Sequence, residues 1–210
     1  MKFKLQILIF FLLSISYGQN EIKQAYFASG CFWCVESIFE SLEGVTNVQS
    51  GYSGGWLKNP SYSQVLTGKT GHAESVKVSY KPNKISFAKL VEVFFASHDP
   101  TTLNRQGPDI GTHYRSIAFY EFDEEKKVIE QEIQRLLDKQ IYPVIVTEIK
   151  KFEKFYLAES YHQDYKIKNP NNPYIWNVSV PRIEKFKSNY TDLQKKLSLI
   201  HISEPTRQDR

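Results

Sequence analysis

The chain has 210 residues, enough for one ordinary domain but short for two domains with separate hydrophobic cores. Hydrophobic residues make up 41% and charged residues 24% of it, which excludes a disordered or collagen-like chain. The net charge of +4 is spread along the sequence without a basic run, which argues against a dedicated nucleic-acid-binding protein.

Residues 1–20 have the pattern of a secretory signal peptide. Two lysines, Lys2 and Lys4, precede an apolar run over residues 5–15, and small or polar residues follow it. That run is too short for a typical membrane-spanning helix. We therefore expect residues 1–18 to be a signal peptide and the protein to be exported to the periplasm or the extracellular space. An uncleaved anchor or an ordinary first helix is the alternative that the pattern leaves open.

The next segments alternate between strand and helix patterns. A short apolar segment at residues 25–28 predicts a strand, and the apolar spacing over residues 34–42 predicts a helix. Val45, Val48 and Tyr52 predict a second strand, with a glycine-rich loop at residues 51–55. Alternating apolar residues at 76, 78 and 80 predict a half-buried strand over residues 74–80.

The alternation continues in the second half of the chain. An apolar stripe predicts a helix over residues 86–97 with Ser86 as its N-cap. A strand at residues 114–122, a helix at residues 123–140 capped by Asp123, and a strand at residues 143–149 follow. Interleaved elements are typical of α/β and α+β folds, and we expect a single-domain α+β fold of the ferredoxin-like type, a sandwich of a mixed sheet with flanking helices.

The last residues, 197–210, differ in composition from the rest of the chain. They resemble the translation of a sequencing-library adapter read past the end of a gene, and an ordinary flexible tail is the alternative. We expect a non-native or disordered tail without function, which leaves residues 19–196 as the functional domain.

The chemistry is concentrated at Cys31 and Cys34, the two cysteines of the chain. Cys31 stands where a predicted strand turns into a predicted helix, and free N–H groups at a helix start stabilise a thiolate. We therefore expect a lowered thiol pKa at Cys31. Cys34 follows one helical turn later, at about 5–6 Å, within the range that a disulfide bond requires.

A Cys-x-x-Cys motif has other interpretations. A zinc site needs four ligands, and the histidines after Cys34 do not have zinc-finger spacing. A structural disulfide and a thioredoxin-like disulfide oxidoreductase both stay open from the motif alone. In thioredoxin-like proteins the tryptophan usually precedes the first cysteine, whereas Trp33 lies between the two here.

The segment Gly30-Cys31-Phe32-Trp33-Cys34-Val35-Glu36 closely resembles the signature of the peptide methionine sulfoxide reductase A family. Further blocks resemble that family in the same order over residues 24–174: residues 51–55 (GYSGG), 59–65 (NPSYSQV), 70–74 (TGHAE), 94–95 (FF), 98–107 (HDPTTLNRQG), 109–116 (DIGTHYRS) and 158–165 (AESYHQDY). Ser53, Pro108 and His113 depart from the common residues. The recycling cysteines that many members carry near the C-terminus are absent, which leaves Cys34 as the internal candidate.

The resemblance implies a peptide-methionine (S)-S-oxide reductase that repairs oxidative damage, acting on free methionine sulfoxide or on oxidised proteins. It implies no metal and no bound cofactor, an external dithiol reductant such as thioredoxin, and a monomer. The implied catalytic residues are Cys31 as nucleophile, Glu74 as proton donor assisted by Tyr62 and Tyr114, and Cys34 as the thiol that forms a disulfide with oxidised Cys31. The implied substrate-binding residues are Phe32, Trp33 and Asp109.

A non-catalytic interpretation also stays open, because an aromatic pocket could bind oxidised or methionine-rich segments without turnover. His72, His98 and His162 are expected to be structural hydrogen-bonding residues.

Overall fold

The computed structural model describes residues 21–195, so the predicted signal peptide and the predicted tail at residues 197–210 lie outside the described part. Within it, strands and helices alternate as expected and form one mixed α+β domain. None of the helices of residues 21–195 combines the length and the apolar character needed to cross a bilayer.

A six-stranded mixed sheet forms the centre of the domain, with the spatial order β7-β6-β1-β3-β2-β8. Every neighbouring pair in it is antiparallel except β6 and β7, which are parallel. A separate two-stranded hairpin consists of β4 and β5. The strands are β1 (Lys23–Ser29), β2 (Val45–Ser53), β3 (Ala73–Tyr80), β4 (Arg105–Gln106), β5 (Asp109–Ile110), β6 (Ser116–Tyr120), β7 (Glu148–Lys151) and β8 (Phe155–Leu157).

The α-helices are α1 (Phe32–Glu40), α2 (Tyr62–Leu66), α3 (Phe87–Ala96), α4 (Asp123–Asp138), α5 (Tyr165–Lys168) and α6 (Val180–Asn189). Ser86 caps α3 as predicted, because its hydroxyl accepts a hydrogen bond from the Lys89 amide. A π-helical segment, Ile175–Ser179, leads directly into α6, and α6 packs against α1.

Both faces of the sheet are covered. Along β1, Ala25 and Phe27 contribute to the main core together with α1 and α3, whereas Tyr26 and Ala28 point to the opposite face. There the ring of Tyr26 stacks on Phe152 with centroids 3.6 Å apart. Because side chains alternate along a strand, Glu74 on β3 lies on the same face as the core residues Val76 and Val78, towards α1.

Several predicted boundaries were wrong. The segment predicted as the strand 114–122 begins as a 3-10 turn, Thr112–Tyr114, and β6 starts at Ser116. The predicted loop at residues 51–55 is strand as far as Ser53, because β2 pairs with both β3 and β8. Only the end of the predicted strand 143–149 is strand, since the amide of Val146 bonds to the carbonyl of Pro100 in a loop instead. Asp123 is the first residue of α4 and makes no capping hydrogen bond.

Candidate active site

Cys31 lies in a tight turn between β1 and α1. The turn requires glycine at position 30, where φ is +85° and any Cβ would lie 2.6 Å from the Cβ of Gln106. The carbonyl of Cys31 accepts the first hydrogen bonds of the helix, from the amides of Cys34 and Val35. Its side chain is buried, with 5% of the residue exposed, at the predicted junction of strand and helix.

The expectation of a lowered pKa at Cys31 was wrong. Burial raises the pKa of the Cys31 thiol well above its usual range, and hydrogen bonding to Cys34 and the charge of Glu74 add to this. Cys34 has the opposite shift: the hydrogen bond with Cys31, the Arg182 charge and the Ser179 hydroxyl lower its pKa to about 6. Both thiols are free, so no disulfide joins them in this structure.

Glu74 is the acid of the site. Only 1% of it is exposed, and its Oε2 accepts a hydrogen bond of 3.1 Å from the amide of Phe32, the first residue of α1. Burial raises the pKa of Glu74 to about 8, although the Phe32 amide opposes that shift. Its carboxyl therefore carries a proton at neutral pH and has one to donate.

Tyr62 and Tyr114 lie around Glu74, as the resemblance implied. Tyr62 opens α2 and Tyr114 ends the 3-10 turn before β6. Burial raises the pKa of both phenols, with the charge of Glu74 as the next cause and that of Cys31 and Asp109 also contributing. Both hydroxyls therefore keep their protons at neutral pH and act as hydrogen-bond donors.

Asp109 reaches the site through a tyrosine that the sequence analysis did not single out. The hydroxyl of Tyr174 donates a 2.6 Å hydrogen bond to Oδ2 of Asp109, and the same hydroxyl lowers the pKa of the Cys31 thiol against the larger effect of burial. Tyr174 stands at the end of the family-like region, but one of thirteen tyrosines carries no pattern that marks it.

Aromatic rings pack together at the start of α1, where Phe32 and Trp33 adjoin the two cysteines. Phe32 is buried and packs against Tyr62, with the ring centroids 6.4 Å apart. Trp33 is partly exposed and stacks on Tyr165 at 3.7 Å, while its indole N–H donates to Nδ1 of His162.

Glu159 is a second residue that the sequence analysis did not assign. Its carboxylate accepts hydrogen bonds from the Tyr52 hydroxyl at 2.8 Å and from the Tyr62 amide at 2.9 Å. It therefore links the start of α2, and with it Tyr62, to Tyr52 on β2. Its position in the family-like block at residues 158–165 was the available signal.

The three histidines have structural hydrogen bonds, as predicted. His72 bridges the Gly55 amide and the Leu57 carbonyl, and His98 bridges the Phe94 carbonyl and the Ser116 hydroxyl. Residues 21–195 contain no cluster of His, Cys, Asp and Glu that could hold a metal ion.

Comparison with known proteins agrees with this geometry. The family model described as peptide methionine sulfoxide reductase matches residues 23–195. Peptide methionine sulfoxide reductase MsrA 1 of Rhodopirellula baltica is 49% identical over 168 residues, 80% of this chain and 87% of that protein. MsrA of Sulfolobus acidocaldarius is 46% identical over 80% of this chain and 95% of its own length.

Solved structures give the same result. The reduced form of Mxr1 from Saccharomyces cerevisiae is similar with a TM-score of 0.68 and 37% identity, covering 72% of this chain and 88% of that one. Methionine sulfoxide reductase A of Corynebacterium diphtheriae has a TM-score of 0.65 and 33% identity, over 74% and 78% of the two chains. The chain thus belongs to the peptide methionine sulfoxide reductase A family, and it is an oxidoreductase that reduces methionine (S)-sulfoxide with electrons from thiols.

Proposed function

We propose that Cys31 attacks the sulfoxide sulfur while Glu74 gives its proton to the sulfoxide oxygen. The observation that carries this assignment is the buried Glu74 carboxyl, with a pKa of about 8, hydrogen-bonded to the first amide of the helix that begins after Cys31. The attack forms a bond between Sγ of Cys31 and the substrate sulfur. The protonated oxygen then forms a bond to Sγ, the S–O bond of the substrate and the new S–S bond break, and methionine leaves with the electron pair of the S–S bond. The Cys31 thiol loses two electrons and becomes a sulfenic acid, so the oxygen of the sulfoxide ends on Cys31.

Formation of the attacking thiolate belongs to the same step, because burial raises the pKa of the Cys31 thiol. The proton that Cys31 releases restores the Glu74 carboxyl after that group has protonated the sulfoxide oxygen. The positive end of the α1 dipole and the nearby Tyr174 hydroxyl favour negative charge on the Cys31 sulfur. The hydroxyls of Tyr62 and Tyr114 assist by donating hydrogen bonds to the sulfoxide oxygen. Phe32 and Trp33 enclose the methyl group, and Asp109 orients the site through Tyr174.

The second half of the reaction uses Cys34. Its thiol condenses with the sulfenic acid of Cys31, which forms the Cys31–Cys34 disulfide and releases water. An external dithiol then reduces this disulfide and is itself oxidised to a disulfide, so that both cysteines return as thiols. We propose a thioredoxin-type protein as that dithiol and oxidised proteins or free methionine sulfoxide as substrates.

One assay tests these roles. The purified chain is incubated with each epimer of a dabsylated methionine sulfoxide and dithiothreitol, and methionine is measured. Product from the S epimer alone supports the proposal, and Cys31→Ser should abolish it with every reductant. Reduction of insulin disulfides without any methionine would instead establish the thioredoxin-like activity that the Cys-x-x-Cys motif alone allows.

We also propose that residues 1–18 direct export and are removed, leaving a domain of residues 19–196. Lys2, Lys4 and the apolar run at residues 5–15 support this assignment. An exported enzyme would receive electrons from a thioredoxin-like protein of that compartment or from a membrane relay. Mass spectrometry of the mature N-terminus in the native host tests it, and a protein starting at Met1 would overturn it.

Finally, we propose that the fold is of the ferredoxin-like type and that the enzyme acts as a monomer. The order β6-β1-β3-β2 of four antiparallel strands, with α1 after β1 and α3 after β3, supports the classification. The proposed catalytic groups all come from one chain, which supports the monomer. Light scattering of the purified chain tests the oligomeric state, and a stable dimer would refute that part.

A further inference from the structure

We infer that Ser179 and Arg182 hold Cys34 ready for the recycling half of the reaction, and thereby direct the external reductant to Cys31. Both residues lie in the C-terminal segment, outside the sequence blocks that resemble the family. The inference rests on the proposed roles of Cys31 and Cys34. It adds two positioning residues to the proposed function, and it states which sulfur of the Cys31–Cys34 disulfide the reductant attacks first.

Ser179 contacts Cys34 directly. Sγ of Cys34 and Oγ of Ser179 lie 3.1 Å apart, and neither residue has exposed surface. As a thiol, Cys34 donates to the hydroxyl oxygen. As a thiolate, Cys34 accepts a hydrogen bond from the same hydroxyl after a rotation of the O–H bond. The Ser179 hydroxyl can therefore hydrogen-bond to both protonation states of Cys34.

A π-helical turn of the backbone places Ser179 in contact with Cys34. Ser179 is the last residue of the π-helical segment Ile175–Ser179, immediately before α6. Single π-turns are rare and occur mostly at functional sites. Since α6 packs against α1, the hydroxyl meets the inner side of the helix that carries Cys34, 145 residues earlier in the sequence.

Arg182 supplies positive charge one turn further along. Its Nε donates to the Ser97 carbonyl at 2.8 Å and its Nη2 donates to the Ser29 carbonyl at 2.9 Å. These bonds fix the guanidinium between the end of α3 and the end of β1, two residues before Cys31. The fixed charge favours a thiolate at Cys34, in agreement with the lowered pKa of that thiol.

The same arrangement decides where the reductant attacks. Methionine sulfoxide must reach the sulfur of Cys31, so an attacking thiolate has the same approach, whereas Cys34 lies fully buried against Ser179. Attack on Cys31 forms a mixed disulfide, and the Cys31–Cys34 bond breaks with both of its electrons going to Cys34. The second thiolate of the reductant then displaces Cys31. A thiol with a low pKa is the better leaving group.

The first test compares Ser179→Ala with Ser188→Ala, a matched serine on α6 whose hydroxyl bonds only to the nearby Lys185 carbonyl in the described structure. After one equivalent of sulfoxide, we expect both variants to release one methionine per enzyme. Disulfide formation, followed by free-thiol titration, should slow at least about tenfold in Ser179→Ala alone, and its pH profile should move upward. Unchanged rate and profile would overturn the inference.

The second test removes the charge. Arg182→Gln should raise the pH at which the disulfide forms at half its maximal rate, and Arg182→Lys should restore most of that shift. Circular dichroism and a thermal melt verify that each variant folds. If Arg182→Gln has the wild-type pH profile, the guanidinium does not act on Cys34.

The third test identifies the attacked sulfur. A thioredoxin variant that keeps only its attacking cysteine is incubated with the oxidised enzyme, and the mixed disulfide is mapped by mass spectrometry. We expect it on Cys31, and a bond to Cys34 would overturn the proposed order. If the wild-type chain released no methionine at all, the proposed function itself would be refuted. The contrary outcomes of the three tests above would refute only the recycling inference.

Discussion

The carboxyl of Glu74 accepts a 3.1 Å hydrogen bond from the backbone amide of Phe32, the residue that follows Cys31. The proposed proton donor is thereby attached to the backbone that carries the proposed nucleophile. A sulfoxide bound at Cys31 has its oxygen next to a carboxyl that burial keeps protonated at neutral pH. This geometry makes the role of Glu74 directly testable.

Replacing Glu74 by glutamine should lower the single-turnover rate of methionine formation by about 10²–10⁴-fold, because the amide keeps the shape but does not transfer a proton. Rapid-quench measurement with the S epimer gives the rate. Glu36→Gln is the matched control, since Glu36 is equally buried on α1 but bonds to the Asp164 amide on the side of Tyr165 and α5. A Glu74→Gln rate near that of the wild type would exclude Glu74 as the donor.

The pH dependence of methionine release follows from the same carboxyl. A general acid acts only while protonated, so the single-turnover rate should fall as the pH rises through about 8, the pKa of Glu74. The fall should persist in Glu36→Gln and disappear in Glu74→Gln, which has only a low residual rate. A profile that keeps rising to a pH of about 9.5 in the wild type would contradict the assignment.

Cys34→Ser separates the two halves of the reaction. We expect it to release one methionine per enzyme, because Cys31 and Glu74 remain, and then to lose steady-state turnover with thioredoxin as reductant. Dithiothreitol should partly restore turnover by attacking the sulfenic acid directly. Single-turnover yield and thiol titration provide the measurements. Full thioredoxin-dependent turnover of this variant would make the internal disulfide dispensable.

The Tyr174 hydroxyl should contribute about tenfold to methionine formation, because it donates a hydrogen bond to Asp109 and lowers the pKa of the Cys31 thiol. Tyr174→Phe removes it and keeps the ring that packs edge-on against Trp33. Tyr165→Phe is the control, since the Tyr165 hydroxyl accepts only from the Asn172 amide among the described contacts while its ring stacks on Trp33. Equal rates for the two variants would show that the hydroxyl of Tyr174 has no special role.

Glu36 should make stability fall with increasing pH. Burial raises its pKa from 4.5 to about 8, and one of its oxygens, Oε1, has no hydrogen-bond partner. Folding therefore favours the protonated form, and stability is lost as the pH rises from about 4.5 to about 8. Relative to the wild type, Glu36→Gln should gain up to about 4 kcal/mol at pH ~9 compared with pH ~5. Urea unfolding of both proteins at both pH values measures the free energies of unfolding. If the difference between Glu36→Gln and the wild type were the same at the two pH values, the prediction would be refuted.

Local sequence patterns determined the elements that carry the site. The apolar periodicity of α3, its serine cap and the alternation along β3 depend on neighbouring residues only, so they were predicted correctly. The one-turn spacing of Cys31 and Cys34 is also local and is retained in α1, which begins at Phe32. At residues 114–115 the local hydrogen bonds of a 3-10 turn replace strand pairing, and at residues 143–147 the Val146 amide bonds to the distant Pro100 carbonyl. Residues 51–53 differ in the opposite direction, because pairing with β3 and β8 makes them strand.

Only the tertiary structure decided the electrostatics and the membership of the site. A helix start favours a thiolate, but burial outweighs it at Cys31, and the degree of burial depends on packing that no local pattern contains. Glu74 and Phe32 are 42 residues apart, and Ser179 and Cys34 are 145 apart. Such pairs meet because strand order and helix packing bring distant segments together. The proposed reacting residues could therefore be named from the sequence, whereas the fold determined their burial and their hydrogen-bond partners.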